Sequence, residues 1–386
     1  TIRNRNQETH NIRLSSDKLS SISWIVGYYR SQTNESDDAS GWLFGGNATS
    51  VSTNFDIINT AIYAQSLFRI SNNLNMILNI RNEDNYTTYL GEGLNWDWDV
   101  YDYVAIPRVS EEIQHSFSGV KLAMVYTLNN SMNVFTSISK GYKAGGINQN
   151  PNLSKSNRFF NPEFNTNVEA GMKFISDKIV ANFNLFSMNR NNQQVQISSQ
   201  QEEGNPNSFN FYSSNATTGT NKGIEFDSKV KFINGLVLRS SCGLLKTHVD
   251  AYEFWTDDTT SITLGNRDQA MAPLYNFSLG LNYSHSSGLY ADVEFTGKDG
   301  YYYSDSHNQK SDAYQLLNLT TGYSKDSWSL SIWGKNILDI RYATRGFYFG
   351  NEPIWNDELN DHEYPDKLYV SYGDPLNYGV SLKYHF

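Results

Sequence analysis

The feature that most constrains this chain is a repeated alternation of apolar and polar residues that is interrupted by turns. Between residues 224 and 232, every second residue except 228 is Ile, Phe or Val, and the positions between them are mainly Glu, Asp or Lys. The pair Asn234-Gly235, a strong tight-turn signal, follows, and the alternation resumes at Leu236 and Leu238. Because successive side chains of a strand point to opposite faces, this pattern predicts a hairpin with one apolar and one polar face.

The same unit recurs along the chain and predicts about fifteen strands. Many run to roughly 12–17 residues, whereas strands of soluble proteins usually have about 5–6. The length of the strands therefore favours a membrane-spanning β-sheet over a soluble sandwich or propeller, in which alternation also occurs. The predicted strands lie near 8–16, 19–30, 54–70, 74–89, 113–128, 133–142, 165–175, 179–196, 217–233, 236–252, 273–285, 288–304, 314–324, 327–342 and 375–386.

The connections alternate between short and long. Sorting by length predicts a transmembrane barrel with tight turns at the periplasmic rim and long loops outside. The short connections are Ser15–Lys18, Ser71–Asn73, Asn129–Ser131, Ser176–Lys178, Asn234-Gly235, Ser286–Gly288 and Lys325–Ser327. The long ones cover about 31–53, 90–112, 143–164, 197–216, 253–272, 305–313 and 343–374.

Composition agrees with an all-β, antiparallel, up-and-down transmembrane barrel. A hydrophobic content of 39% suits strands that show lipid only every second residue. No apolar run approaches the ~20 residues of a membrane helix. The net charge of −10 argues against a nucleic-acid partner, and the single Cys242 excludes an internal disulfide.

The last strand ends on alternating apolar residues at Val380, Leu382, Tyr384 and Phe386, and we expect all four to point outward. A strand of this kind that stops on an aromatic residue resembles the terminal strand of outer-membrane proteins.

Several further segments resemble TonB-dependent outer-membrane receptors of the siderophore-receptor type. Ser139–Gly146 contains the stretch Gly-Tyr-Lys-Ala-Gly-Gly. The early hairpin that includes Ile12–Ser16 departs from the family pattern at Asn11, where that pattern usually has Glu. We interpret the glycines, Asn336 and Asp339 as backbone-shaping residues. The other matching segments are Ile12–Ser16, Trp24–Tyr29, Phe160–Glu163, Asn167–Lys173, Trp333–Asp339 and Arg341-Tyr342.

The resemblance implies a 22-strand barrel around an N-terminal plug. With about fifteen strands predicted here, 22 − 15 leaves seven absent strands. Residues 1–386 are therefore expected to be the C-terminal portion of one barrel domain, with the plug and the TonB-contacting segment in a missing N-terminal part. The same reasoning predicts that the chain alone does not close a normal barrel.

The sequence contains no enzyme motif. Its seven histidines are scattered, and no H-E-x-x-H, P-loop or G-x-S-x-G motif is present, so we predict no catalytic residue, metal ligand or cofactor. Acidic residues at 357, 358, 361, 363 and 366 suit a solvated loop better than a divalent-ion site.

Aromatic and cationic residues in the long connections are the candidate ligand contacts, with interface anchoring or loop packing as the alternative. They are Trp42, Trp96, Trp98, Tyr142, Lys143, Tyr301, Tyr302, Tyr303, Arg345, Tyr348 and Trp355.

The resemblance implies a multi-pass outer-membrane protein, surrounded by outer-membrane lipid, that imports a scarce small molecule such as a ferric siderophore. Energy would come from the TonB complex through the missing part. The alternatives are a passive pore, a loop-based binding or adhesion barrel, and a soluble β-rich glycan binder, which fits the sorted loops poorly.

Overall fold

The computed structural model describes the chain except residues 1, 17–20, 40–41, 44–46, 98, 152, 154, 201–208, 234, 256–260, 359 and 386; for a few others, among them Trp42 and Trp96, it describes only the backbone. The described part holds twenty-four strands and one short helix. The strands are β1 (Ile2–Ser15), β2 (Ile22–Ala39), β3 (Trp42–Leu43), β4 (Asn47–Arg69), β5 (Leu74–Asp97), β6 (Asp102–Asn129), β7 (Met132–Lys143), β8 (Gly146–Ile147), β9 (Phe159–Phe160), β10 (Glu163–Ile175), β11 (Ile179–Gln200), β12 (Phe209–Ile233), β13 (Leu236–Val249), β14 (Tyr252–Trp255), β15 (Ser261–Leu264), β16 (Tyr275–Ser284), β17 (Leu289–Lys298), β18 (Tyr314–Lys325), β19 (Trp328–Lys335), β20 (Ala343–Phe349), β21 (Ile354–Asn356), β22 (Asp361–Glu363), β23 (Lys367–Tyr372) and β24 (Asn377–Tyr384); helix α1 is Lys155–Arg158.

Sixteen strands form one antiparallel sheet: fifteen of them each pair with the next long strand along the chain, and the short β3 pairs with β4 beside this path. The order is β1-β2-β4-β5-β6-β7-β10-β11-β12-β13-β16-β17-β18-β19-β24. This confirms the predicted up-and-down antiparallel architecture with about fifteen strands in sequential order. The ends of the sheet are β1 and β24, and the described residues contain no ladder that joins them.

The two ends of the strands differ in their connections. We call the end with tight turns, such as 70–73 and 176–178, the turn end, and the end with the connections after β2, β5, β7, β11, β13, β17 and β19 the loop end. The described residues include no helix long and apolar enough to cross a membrane.

Paired strands sort their side chains by polarity. Ile224 on β12 lies opposite Leu185 on β11 and Leu244 on β13, and all three side chains are exposed on one face. On the other face, Asn182 donates a hydrogen bond to the Asp227 carboxylate at 2.8 Å. The register therefore places the apolar row of β12 on one side of the sheet and its charged row on the other.

The last strand follows the same rule. Val380, Leu382 and Tyr384 are 67%, 72% and 59% exposed and share the face opposite Ser381, which accepts a hydrogen bond from the indole of Trp333 at 3.1 Å. Phe386, which we expected to continue this row, lies outside the described residues.

Three of the predicted long connections are wrong in extent. The segments 31–53, 90–112 and 197–216 were expected to be loops, but β2, β4, β5, β6, β11 and β12 extend through most of them. The apolar alternation already weakens before the second of these segments, where Ser118 and Ser116 donate hydrogen bonds to Asn82 and Asp84 at 2.7 and 2.5 Å on the face that is apolar nearer the turn end. Backbone ladders do not need an apolar face, so the strands continue where the sequence signal ends.

Two predicted strands end earlier than expected. Strand β17 stops at Lys298, so Tyr301–Tyr303 lie in a connection and not at a strand end. Strand β19 stops at Lys335, where Asn336 adopts a left-handed backbone (φ 48°). Its buried amide donates to the carbonyls of Ile340 and Asp374 at 2.9 and 3.1 Å. The backbone-shaping role predicted for Asn336 is therefore confirmed.

A left-handed residue in β11 inverts the faces of the sheet. Asn192 has φ 51°, and Asn215 donates to its carbonyl at 2.8 Å. Odd-numbered residues of β11 lie on the exposed apolar face up to this point, whereas Gln193, Val195 and Ile197 beyond it are buried. The loop-end half of this hairpin therefore turns its apolar row toward protein.

Apolar cores lie at the loop end. In the first, Val195, Ile197 and Val249 pack with Tyr252 and Phe254 of the β14–β15 hairpin; Leu153, Tyr212 and Ala216 complete it. The second joins Tyr89, Val109 and Ile147. Because Leu153 and Ile147 both belong to the connection 144–162, that connection contributes to both cores.

Candidate ligand-binding site in the outer connections

The tyrosine triplet of the connection after β17 stabilises the loop end. Tyr301 and Tyr303 are buried, and the Tyr301 hydroxyl donates to the carbonyl of Thr344 at 3.0 Å. Burial raises the pKa of both phenols, so they stay protonated at neutral pH. These two side chains tie residues 299–313 to strand β20.

Tyr302 lies between two cations. The guanidinium carbon of Arg267 and the ammonium of Lys310 are 4.0 and 4.2 Å from its ring centre. Arg267 also donates to the carbonyls of Ser304 and His307 at 2.9 and 3.2 Å. Arg267 therefore braces the connections after β13 and β17 against each other by cation–π contact and hydrogen bonding.

A cavity of about 240 Å³ opens between these connections and β20. Three predicted contact residues, Tyr303, Arg345 and Tyr348, line it together. The Arg345 side chain is exposed, and its guanidinium carbon lies 5.5 Å from the Phe347 ring centre. The remaining lining residues are Ser198, Met271, Ser304, His307, Gly346 and Phe347.

The charge in this cavity comes from Arg345. Burial, together with the nearby Arg267 charge, lowers the pKa of His307 to about 4, so its imidazole is neutral at pH 7. Its Nδ1 accepts a hydrogen bond from the backbone N–H of Gln309 at 3.3 Å, which also suits the neutral ring. The cavity thus offers aromatic rings, a neutral imidazole and one accessible guanidinium.

Asp305, next to the lining residue Ser304, links the connection after β17 to β11 and β14. Asp305 accepts from the backbone N–H of Gln196 at 3.1 Å, and Tyr252 donates to the Asp305 carbonyl. Burial raises the pKa of the Asp305 carboxyl. The cavity wall is therefore tied to β11 and to the first apolar core.

The structure places the other candidates on separate elements. Tyr142 donates to Glu83 at 3.0 Å and stacks on Phe117 with ring centres 4.5 Å apart, while Lys143 beside it is exposed. Trp355 is exposed in the β21–β22 hairpin and donates to Asp357 at 2.9 Å.

The first two connections leave three candidates open. Trp42 and Trp96 lie on β3 and β5 without described side chains, and Trp98 is outside the described residues. Among the residues that the structure does describe, no group of three or more His, Cys, Asp or Glu is arranged to hold a metal ion.

Sequence reasoning missed Ser198, Met271 and His307 as lining residues. Ser198 lies near the end of β11, and Met271 and His307 lie in the connections after β13 and β17, so no motif joins them along the chain. The sequence offered one indication: all three residues fall in predicted long connections, which were expected to lie at the same end of the strands.

Comparison with known proteins identifies the family to which this sheet and its connections belong. The family model described as TonB dependent receptor-like, beta-barrel matches residues 2–337. The ferric yersiniabactin uptake receptor FyuA from Yersinia pestis has a similar structure, with a TM-score of 0.76 and 15% identity, over 100% of this chain and 54% of that one.

Two further solved structures share the fold. The ferric-catecholate import receptor Fiu from K12 E. coli aligns with a TM-score of 0.60 and 13% identity, over 99% of this chain and 60% of the receptor. The copper transporter OprC aligns with a TM-score of 0.60 and 9% identity, over 98% of this chain and 62% of that protein. This chain thus spans little more than half of each relative. With its family model matched along most of its length and its strands in the same architecture, the chain belongs to the TonB-dependent receptors, a family of outer-membrane β-barrels.

Proposed function

We propose that this chain forms the C-terminal portion of the barrel of an outer-membrane receptor that imports a ferric siderophore. The remaining strands, a plug and the segment that contacts the TonB complex belong, in this proposal, to the rest of the receptor. Its support is family membership together with the share of each relative, 54–62%, that the chain covers.

The lining of the cavity beside β20 is the observation that supports a ferric siderophore as the ligand. Ferric siderophores combine metal-chelating oxygens, often anionic, with aromatic or extended organic groups. The exposed Arg345 suits the anionic oxygens, and Tyr348 and Phe347 offer flat apolar contact. At about 240 Å³ the cavity is smaller than typical ligand pockets of about 300–1,000 Å³, so it would hold part of such a chelate.

Transport through the receptor requires energy that the outer membrane does not supply. By membership of the TonB-dependent family, we assign this energy to the TonB complex of the inner membrane. Loop-end residues of this chain would capture the ligand, and the plug would respond to TonB.

The test is growth of a deletion strain on single iron sources, with haem, cobalamin and oligosaccharides as further nutrients. The intact receptor should restore growth on one ferric chelate. Arg345→Ala should raise the concentration needed by about tenfold or more, because a charged hydrogen bond is lost. Asn308→Ala, exposed in the adjacent connection, is the matched control and should behave like the parent.

Either of two results overturns part of this proposal. The siderophore assignment is wrong if the receptor supports growth on haem, cobalamin or an oligosaccharide but on none of the ferric chelates. Equal behaviour of the Arg345 and Asn308 variants on the transported chelate removes this cavity as the capture site.

A further inference from the structure

A shallow depression of about 500 Å³ lies on the exposed face of the sheet where β10, β11, β12 and β13 run side by side. Most of its floor is apolar, and its loop-end rim carries two lysines, Lys222 and Lys246. The apolar side chains that point out of the sheet here are Val168, Ala170, Leu185, Ile224 and Leu244.

The two lysines stand directly opposite each other in the β12–β13 ladder. Like charges in directly paired positions destabilise a sheet, so this arrangement is unfavourable without an anion. Asp268 partly relieves it, with a carboxylate oxygen 3.0 Å from the Lys246 ammonium. Lys222 and Lys246 against Asp268 leave a net charge of +1 at this rim.

The lysines lie where a membrane's hydrocarbon layer should end. On the face of β12 that carries Lys222, the apolar row reaches Phe232 near the turn, and 232 − 222 is 10 residues. On β13 the distance from Leu236 to Lys246 is again 246 − 236, or 10 residues. A transmembrane strand needs about 9–11 tilted residues, so both ammonium groups reach the outer headgroup level.

We propose that this depression binds a membrane lipid with a phosphorylated headgroup, its acyl chain over the apolar floor and its phosphate between Lys222 and Lys246. Ammonium groups bind phosphate as point charges, and lysines at a membrane surface attract anionic headgroups. The inference is independent of import, because the site faces lipid and lies on the opposite side of the sheet from the charged row of β12.

The experiment uses the intact receptor, purified in detergent and titrated by native mass spectrometry. The probes are bisphosphorylated lipid A, its dephosphorylated form and inorganic phosphate. The receptor should prefer the phosphorylated lipid, and Lys222→Gln with Lys246→Gln should weaken its binding about tenfold. Lys229→Gln with Lys231→Gln, on the other face of β12, should leave binding unchanged.

Asp268→Asn gives a change in the opposite direction. It removes the acid that partly neutralises Lys246, so the phosphorylated lipid should bind more tightly and the dephosphorylated form should not. Equal binding of the two lipids, equal loss in both lysine double variants, or full competition by inorganic phosphate overturns the proposal. Unchanged heat-modifiable mobility verifies that each variant is folded.

Discussion

Strand β11 contains two regions that use similar residues in opposite ways. Leu185, in its turn-end half, is 42% exposed on the apolar face of the wall, whereas Ile197, in its loop-end half, is 1% exposed in a protein core. The alternation has a period of two in both regions. Alternation therefore predicts a strand with one apolar face, and the surroundings decide whether lipid or protein covers that face.

The reversal depends on the junction at Asn192. The turn-end half is a single sheet, so lipid must cover its apolar face. At the loop end, connections fold over the sheet and form apolar cores with it. A substitution in one region should therefore leave the other nearly intact.

The largest effect is expected at Phe254, which is buried in the first loop-end core. Phe254→Ala removes a ring from a packed site and should cost about 3–5 kcal/mol of local stability. Hydrogen exchange should accelerate in β14, β15 and the loop-end part of β11, while heat-modifiable mobility stays that of the parent. Loss of barrel assembly would show that the two regions fold as one unit.

The second-largest effect is expected on the apolar face of the sheet in the membrane. Phe226 lies on the exposed apolar face in the central part of the 222–232 segment of β12, and Phe226→Arg should cost ~2–4 kcal/mol in the membrane. Lys229→Gln, on the charged face of the same strand, is the control. The proportion of heat-modifiable receptor in outer-membrane fractions should fall only for the arginine variant. An equal fall in both, or a larger one for Lys229, would require the register of this strand to be redrawn, because a one-residue slip inverts every side chain.

A smaller effect is expected at the junction. Because Asn192 has a left-handed backbone, Asn192→Val should cost roughly 1–2 kcal/mol, and Asn192→Gly should be tolerated. Protease sensitivity of the β11–β12 hairpin measures the difference. If valine is as well tolerated as glycine, the left-handed residue is not what inverts the faces.

The smallest effect is a dependence on pH at the cavity. Folding lowers the pKa of His307 from 6.5 to about 4, so the unfolded connection takes up a proton first as pH falls. The stability of residues 299–313 should therefore decrease from about pH 6.5 toward pH 4. Asp305, whose pKa is raised, responds in the opposite sense above 3.8.

His307→Asn isolates the histidine contribution. Hydrogen exchange of residues 301–311 should lose its acceleration below pH 6.5 in this variant, and the parent should retain it. The same acceleration in both proteins would assign the pH dependence to Asp305 or another group.

The sequence predicted the wall better than the site for a physical reason. The alternation predicts the faces of Ile224 and Asp227 correctly, because Ile224 lies on the apolar face that lipid covers and Asp227 lies on the opposite, polar face. Around Asn82 and Asp84, polar residues occupy both faces of β5, and the strand continues without an apolar signal. The cavity could be predicted only in part: Tyr303, Arg345 and Tyr348 were chosen by residue type, whereas His307 and Met271 reach it through packing between connections that no local pattern encodes.

Cysteine labelling reports directly on the orientation of the sheet in the membrane. In a Cys242→Ser background, Asn308→Cys at the loop end and Asp177→Cys in a tight turn are treated with a maleimide on a polymer too large to pass porins. Asn308→Cys should be labelled on intact cells, and Asp177→Cys only after the outer membrane is permeabilised. Labelling of Asp177→Cys on intact cells, with Asn308→Cys protected, would show that the sheet has the opposite orientation.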